Sequence, residues 1–138
     1  MTRVLWGLCV GLIMIQFGCG HRVAAADSAL VREIRIADVV TPALMRVSLG
    51  EEIQWTNARS ASVRIGFLTM RLLDELACEK GVKTLFGQVN DLITIPAGGS
   101  ISLCFGRVGE LKYNVWFEPE NPRGRISPTA TVRIEAQG

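Results

Sequence analysis

The stretch PALMRVSLGEEIQWTN, from Pro42 to Asn57, carries the pattern that decides the fold. Apolar and polar side chains alternate through LMRVSL, Gly50-Glu51 marks a turn, and the alternation restarts at Ile53 and Trp55. A period of two residues is typical of β-strands that bury one face. The stretch therefore predicts two strands joined by a short turn, with Trp55 in the core.

Strand patterns continue on both sides of this stretch. They occur in LVREIRI before it and in SVRIGFL, LITI, ISLCFG, LKYNVWF and TATVRIE after it. Several short strands separated by turns predict an all-β sandwich. Pro42 excludes a central strand position for the intervening ADVVTP, and the Pro/Gly loop PENPRGRISP separates the last two strands.

One segment changes its period. Its apolar residues fall at helical spacing: Met70, Leu72, Leu73, Leu76 and Ala77. With Thr69 as N-cap and Gly81 as the C-terminal stop, the spacing predicts one short inserted helix from Met70 to Lys80. We expect this helix to pack on the sandwich as a lid; the alternative is a face that binds a partner. The stretch from Lys83 to Asp91 is ambiguous.

The N-terminus has the pattern of a signal peptide. Thr2-Arg3 forms a short positive region, and the uncharged apolar run from Val4 to Phe17 is too short to span a bilayer comfortably. Small residues follow, and Ala24 and Ala26 stand where a leader peptidase reads the chain. This pattern predicts a signal peptide of residues 1–26 and an extracytoplasmic protein, periplasmic or secreted.

A second processing route starts at Cys19. Gly18-Cys19 resembles the core of a lipobox, although Gln16 replaces the usual aliphatic residue and Phe17 is bulky. On this route the signal peptide would be residues 1–18, and a lipid on Cys19 would anchor the protein to a membrane. A third interpretation is a buried N-terminal helix of a cytosolic protein. The charge and length pattern favours export.

Composition and charge describe one globular domain. The 138-residue chain has 15 Lys and Arg residues, 13 Asp and Glu residues and a formal net charge of +2. Arg3 and Arg22 lie in the predicted leader, and without them 13 basic residues balance 13 acidic ones. Residues 27–138 therefore suit a single domain with no electrostatic footprint for nucleic acid.

Export also determines how the four cysteines are interpreted. Cys9 leaves with the leader on either route, and Cys19 is either removed or lipidated. Cys78 and Cys104 remain as an even pair in an oxidising compartment, which predicts a disulfide. The alternative is two unlinked buried thiols.

These motifs, in this order, resemble the cupredoxins, the plastocyanin- and azurin-like family of small copper proteins. The family shows a Pro, an alternating strand, a Gly turn, an aliphatic residue, Trp and Asn, as in Pro42 to Asn57. It then shows a Gly-rich turn, a Phe strand, a Gly turn, Tyr and an aromatic strand. The stretch IPAGGSISLCFGRVGELKYNVWFEPENPRG, from Ile95 to Gly124, is similar. The resemblance covers most of residues 30–135 and implies a cupredoxin-like Greek-key β-sandwich.

The resemblance also implies where copper ligands would stand. Cupredoxins hold type 1 copper with two His, a Cys thiolate and a weak axial Met. These positions match Val63, Phe117, Glu120 and Arg125, so all four ligands are replaced. Val and Phe offer no lone pair, and Arg stays protonated. The only histidine, His21, lies in or beside the leader. The resemblance thus implies the fold without type 1 copper, and we expect no cofactor.

The residues at the four replaced positions can be assigned an expected environment from their side chains. We expect Val63 and Phe117 to lie in the core. Glu120 and Arg125 would either form an ion pair where the metal would lie or remain separate solvated charges, since most surface pairs contribute little.

Other residues were considered as sites. Met45 and Met70 either bind Cu(I) as soft thioethers or, more simply, fill the core. Glu51-Glu52 predicts a solvated turn, and Trp116, which alternates like Trp55, predicts core burial. No serine has a histidine partner in the mature chain, so a Ser-His-Asp hydrolase is excluded.

The sequence therefore predicts an exported, non-catalytic cupredoxin-like domain without type 1 copper. We expect it to act as an interaction or assembly module for a protein partner that the sequence does not identify. The alternative is a copper-binding electron-transfer or copper-handling protein with an atypical site, which would use Glu120 and methionines or share ligands with another chain. No constellation of residues supports an enzyme.

Overall fold

The computed structural model describes residues 30–82, 84–85, 88–89 and 91–138. The signal peptide of residues 1–26, its alternative end at residue 18 and the lipidation site Cys19 lie outside these residues. So do Lys83, Phe86, Gly87 and Asn90 of the ambiguous stretch from Lys83 to Asp91. Across the described ranges, no helix is long and apolar enough to cross a membrane.

Strands dominate the described part of the chain. They are β1 (Val31–Ile36), β2 (Val40–Thr41), β3 (Leu44–Ser48), β4 (Glu52–Asn57), β5 (Val63–Phe67), β6 (Leu76–Lys80), β7 (Thr84–Leu85), β8 (Gln88–Val89), β9 (Leu92–Ile95), β10 (Ser100–Phe105), β11 (Gly109–Trp116) and β12 (Ala130–Glu135). The strands predicted from two-residue alternation are all present. Pro42 follows the two-residue edge strand β2, in keeping with its exclusion from central strands.

Ten of the strands form two mixed sheets of five. One sheet has the order β2-β1-β4-β10-β6, the other has the order β3-β12-β11-β5-β9, and β7 pairs with β8. The pairs β1–β4 and β3–β12 are parallel, and the remaining pairs are antiparallel. The predicted all-β sandwich is confirmed. Strands that are distant in the chain become neighbours: β1 pairs with β4, and β3 pairs with β12, the last strand.

The core lies between the two sheets and is centred on three aromatic rings. Trp55 contacts Phe67 and Tyr113 edge-on, with ring centroids 5.8 Å apart in both pairs. Trp55 and Tyr113 are fully buried, as the alternation predicted for Trp55. Neither Trp55 Nε1 nor the Tyr113 hydroxyl has a hydrogen-bond partner among the described residues. Burial disfavours a phenolate here and raises the pKa of Tyr113 to about 12.

The predicted helix from Met70 to Lys80 is wrong in its second half. A short 3₁₀ helix spans Met70–Glu75, and Leu76–Lys80 forms β6, which pairs with β10. A few apolar residues fit both a helical period and a strand, and pairing with β10 favours the strand here. The lid interpretation holds for Leu72 and Leu73, which are buried, whereas Met70 is half exposed and does not fill the core.

Trp116 is also placed differently from the prediction. Alternation along β11 and into the next residue places Tyr113, Val115 and Phe117 inward, so Trp116 points to the outer face and is only partly buried. Its ring lies over Gly66 on the neighbouring strand β5, and a Cβ atom at Gly66 would lie only 2.7 Å from Trp116 Cη2. Glycine at this position makes room for the indole ring, which packs against the β5 backbone.

We expect Gly66→Ala to destabilise the protein by about 1–3 kcal/mol, because the new methyl group forces the Trp116 ring off the sheet. Urea unfolding measures the loss, and a red shift of tryptophan emission reports the displaced ring. Trp116→Ala supplies the control. In the Trp116→Ala background, Gly66→Ala should cost clearly less, and equal costs in both backgrounds would contradict the contact.

Glu51 and Glu52 do not form a simple solvated turn. Glu51 Oε2 accepts a hydrogen bond from the Ser48 N–H at 2.6 Å and closes the turn between β3 and β4. Glu52 is buried on β4, where its carboxylate accepts a hydrogen bond from Lys80 Nζ at 2.8 Å. That hydrogen bond, above all, holds the pKa of the Glu52 carboxyl below its ordinary value. The prediction failed because β6, which carries Lys80, was assigned to a helix.

Candidate functional site

One end of the sandwich is organised by Asn57, the last residue of β4. Its side chain is fully buried. Nδ2 donates to the carbonyl oxygens of Ala61 at 2.9 Å, Pro96 at 3.0 Å and Ile95 at 3.1 Å. Oδ1 accepts from the Arg59 N–H at 3.0 Å. Asn57 therefore shapes the loop of residues 58–62 and ties it to the end of β9 in the opposite sheet.

Two of the four positions that match copper ligands are core positions. Val63 begins β5 and is completely buried, and Phe117 follows β11 with 3% of its surface exposed. Both were predicted to be buried. The Phe117 N–H donates to the Arg125 carbonyl oxygen at 3.0 Å, which brings the loop of residues 118–125 back against the end of β11.

Glu120 and Arg125 occupy the other two positions and do not pair with each other. The Glu120 side chain is 95% exposed, and its ion-pair partner is Arg64, with Oε1 and Nη2 4.0 Å apart. The Arg125 guanidinium instead lies 4.3 Å from the centroid of the Phe117 ring. The predicted ion pair is therefore absent from the described residues. A guanidinium gains more from stacking on a buried ring than from an exposed carboxylate, where water screens the attraction.

The donor set at these positions does not fit type 1 copper. Val63 and Phe117 supply no lone pair, Glu120 is one exposed carboxylate, and Arg125 is a cation. Within the described residues, no three His, Cys, Asp or Glu side chains are grouped to hold a metal ion. The type 1 copper site is lost because these side chains are not the ligands that copper needs, although they stand at the spacing of the cupredoxin ligands.

Cys78 and Cys104 are joined to each other. Cys78 on β6 and Cys104 on β10 stand directly opposite across the antiparallel pair, 4.8 Å apart at Cα, and form a disulfide. The predicted disulfide is confirmed, and neither sulfur is available as a thiolate ligand. The bond attaches the edge strand β6 to the sheet.

An open cleft of about 660 Å³ lies beside the replaced positions. Its walls are the loop of residues 58–62, which follows β4, and the loop that begins at Phe117 and runs to Asn121. Phe117, Ala61 and Pro119 supply apolar surface, and Arg59 contributes the cationic group. The sequence offered no motif for Arg59, since the two loops that form the cleft are far apart in the chain. The one sequence feature that could have pointed to this loop was Asn57, because its side chain accepts a hydrogen bond from the Arg59 N–H.

Comparison with known proteins identifies the fold. No protein-family profile matches the chain, and no curated protein matches it. Solved structures do: a Met-to-Gln variant of amicyanin with Cu(I) has a TM-score of 0.51 at 16% identity, covering 78% of this chain and 87% of that one. Met-to-Ala variants of amicyanin give TM-scores of 0.50 at 19% and 20% identity, each covering 81% of this chain and 87% of the other. The chain has a cupredoxin-like fold.

Proposed function

We propose that this protein is an exported, non-catalytic cupredoxin-like domain that carries no type 1 copper and works by binding a protein partner. One observation carries the proposal. At the four positions that match the copper ligands, two side chains are buried hydrocarbons, one is an exposed carboxylate and one is a guanidinium stacked on Phe117. The fold is retained while the donor chemistry for copper is gone, and a fold without its usual site still offers surfaces for recognition.

Two features support export. The N-terminal pattern from Thr2 to Ala26 is that of a signal peptide. The Cys78–Cys104 disulfide suits an oxidising compartment. The intact mass of the protein from its native host tests this directly: cleavage after Ala26 and lipidation at Cys19 give different masses. An unprocessed N-terminus would contradict export.

The non-catalytic part of the proposal is supported by the same inventory of side chains. His21, in or beside the predicted leader, is the only histidine. The mature chain therefore has no imidazole to serve as a general base or to orient a nucleophile. The alternative function, copper handling through an atypical site, gains no specific support from the geometry of Met45, Met70 or Glu120.

A copper titration of the purified protein tests the proposal. Cu(II) and Cu(I) are added separately, and visible absorbance and bound metal are followed, with a blue copper protein as the positive control. We expect no thiolate-to-copper band and no stoichiometric metal, because no thiolate and no histidine stand at the matching positions. An intense thiolate-to-copper band would contradict the proposal and make electron transfer the leading function.

A further inference from the structure

The edge strand β6 contributes little to the core that the two sheets enclose. None of its five residues is buried, and only Leu76 and Cys78 are shielded in part. Its neighbour β10, by contrast, is buried from Ile101 to Phe105. Burial of apolar surface is the dominant favourable contribution to folding. Contacts other than apolar packing therefore hold β6 on the sheet.

Three attachments hold β6, and all of them involve or cross β10. Among the described strands, the β6 backbone pairs only with β10, and the register shifts where Ala77 has no partner. Cys78 is bonded to Cys104. The Lys80 side chain crosses β10 to reach Glu52 on β4, with Nζ and Oε2 2.8 Å apart. Because Lys80 is 67% exposed and its ion pair is screened by water, the disulfide is the strongest attachment.

The segments on either side of β6 are anchored independently of it. Leu72 and Leu73 of the 3₁₀ helix are buried before it, and Val82 packs against the core after it. Release of β6 would therefore leave a short loop between two fixed points, with both sheets still folded. Segments with few buried apolar contacts and exposed backbone hydrogen bonds are those that open without global unfolding.

The two cysteines differ in their exposure to solvent. Cys78 lies on the edge strand and is partly exposed, whereas Cys104 is 7% exposed. A thiolate from solvent therefore reaches the sulfur of Cys78 first, and the sulfur of Cys104 becomes the leaving group. Exposed disulfides are also the more labile ones as a class.

We propose that the Cys78–Cys104 disulfide is a reducible latch, which a dithiol reductant opens to release β6 while the sandwich stays folded. A reductant thiolate bonds to the Cys78 sulfur, and the bond to Cys104 breaks, leaving its electron pair on the Cys104 sulfur, which takes up a proton. The second reductant thiol then displaces Cys78 and gives it a proton. The reductant leaves as a disulfide, and the protein has gained two electrons and two protons.

Opening changes the surface that the first sheet presents. Once β6 is released, the backbone N–H and C=O groups of β10 that it paired with become an open sheet edge. An open edge is a template for pairing with another strand, and the closed form does not offer it. The inference thus goes beyond the proposed function and does not depend on the absence of copper.

The rate of reduction tests the latch on the purified, oxidised protein without denaturant. Dithiothreitol is the reductant, alkylation followed by mass spectrometry counts the free thiols, and urea jumps extrapolated to water give the rate of global unfolding. We expect reduction to speed up in proportion to dithiothreitol concentration and to exceed the unfolding rate by about tenfold or more, because attack on Cys78 needs no unfolding. A rate that levels off at the unfolding rate would overturn the inference.

Amide NMR spectra show which part of the protein reduction releases. We expect the resonances of β6 to move to random-coil positions while those of β4 and β11 stay dispersed. Amides of β6 should then exchange with solvent about tenfold faster, or more, than those of β11 in the same sample. Reoxidation should restore the first spectrum. An unchanged β6, or loss of dispersion throughout the spectrum, would contradict the inference.

Two kinds of variant serve as controls. Replacing Cys78 and Cys104 together by alanine should give the reduced spectrum without reductant and no response to it. Lys80→Ala removes the attachment to Glu52 and should speed reduction about threefold. Lys112→Ala removes a lysine from the other sheet and should leave the rate within about 1.5-fold. Equal rates in the two lysine variants would contradict the part assigned to Lys80.

These experiments and the copper titration fail independently, because no copper is present during reduction. If β6 stays closed or the whole protein unfolds on reduction, the latch is wrong and the copper-free assignment stands. If the oxidised protein gives a thiolate-to-copper band, the proposed function is wrong whatever reduction does to β6.

Discussion

Replacing Cys78 and Cys104 together by alanine is expected to lower the free energy of unfolding by about 3 kcal/mol. The disulfide closes a loop of 26 residues in sequence, and removing it allows the unfolded chain many more conformations. It also frees the edge strand β6, which pairs only with β10 in its sheet. Urea unfolding followed by circular dichroism measures the change. The slope of the transition should rise, because the released chain exposes more surface when it unfolds.

Reduction provides the matched control for this prediction. Dithiothreitol should destabilise the wild-type protein by a similar amount and leave the double alanine variant unchanged. Wild-type stability that does not respond to full reduction would show that the disulfide contributes little. The comparison of double variant and reduced wild type also separates the lost cross-link from the lost packing of Cys104, which is 7% exposed.

Asn57→Ala is expected to cost about 3 kcal/mol or more. The substitution removes the donor for three carbonyl oxygens and the acceptor for the Arg59 N–H. The contact with Ile95 O is buried, and a buried acceptor left unsatisfied costs about 1–3 kcal/mol by itself. Thermal and urea unfolding measure the loss. Asn121→Ala, at an exposed loop position, is the control and should change stability by under about 1 kcal/mol.

Asn57→Asp separates hydrogen bonding from packing. The variant keeps the shape of the side chain but turns an oxygen toward three carbonyl oxygens, so its loss should be at least as large as that of Asn57→Ala. Protonating the new carboxyl restores one donor, so its pKa in the folded state lies above its unfolded value. The variant should therefore regain stability relative to wild type as the pH falls from above the folded-state pKa toward the pKa of aspartic acid in the unfolded chain. An Asp variant as stable as wild type at neutral pH would contradict the assigned role of Nδ2.

The strands were the most predictable part of this fold. Alternation along a strand is local, because the side-chain period of two records directly which face is buried. Trp55, Val63 and Phe117 were correctly predicted to be core residues from this pattern or from the resemblance. Trp116 was wrongly predicted to be a core residue. Two-residue alternation shows which residues share a face of the strand, but it does not show which of the two faces is buried. Tyr113 in β11 and Phe117, the residue after it, occupy the inner face.

The short helix shows where local pattern fails. Five apolar residues fit a helical period between Met70 and Lys80, yet Leu76–Lys80 is a strand. The partner that decides between the two is β10, more than twenty residues further along the chain, and a sequence window of one segment does not contain it. The same error hid the contact between Glu52 and Lys80, and it made a buried carboxylate look like part of an exposed turn.

The candidate site was also predictable from the sequence only in part. The absence of copper donors was readable from residue identity alone, since no arrangement of Val63 and Phe117 can supply a lone pair. The position of Arg59 was not readable, because its role depends on contacts with Ala37, Asp38 and Phe117, which three separate segments bring together. Nor was the pairing of Glu120 with Arg64, since these residues meet only when β5 lies beside the loop that follows β11.

By itself the sequence determined the properties that depend on residue type and short-range order: an all-β chain, a disulfide pair, and ligand positions that lack the two His, the Cys and the Met of a type 1 copper site. Tertiary structure alone decided the properties that depend on long-range pairing. It assigned the outer face to Trp116, buried Glu52 against Lys80, and placed a fixed, partly unsatisfied guanidinium in a cleft. The physical reason is that side-chain chemistry is carried by each residue, whereas burial and contact arise only when distant strands pair.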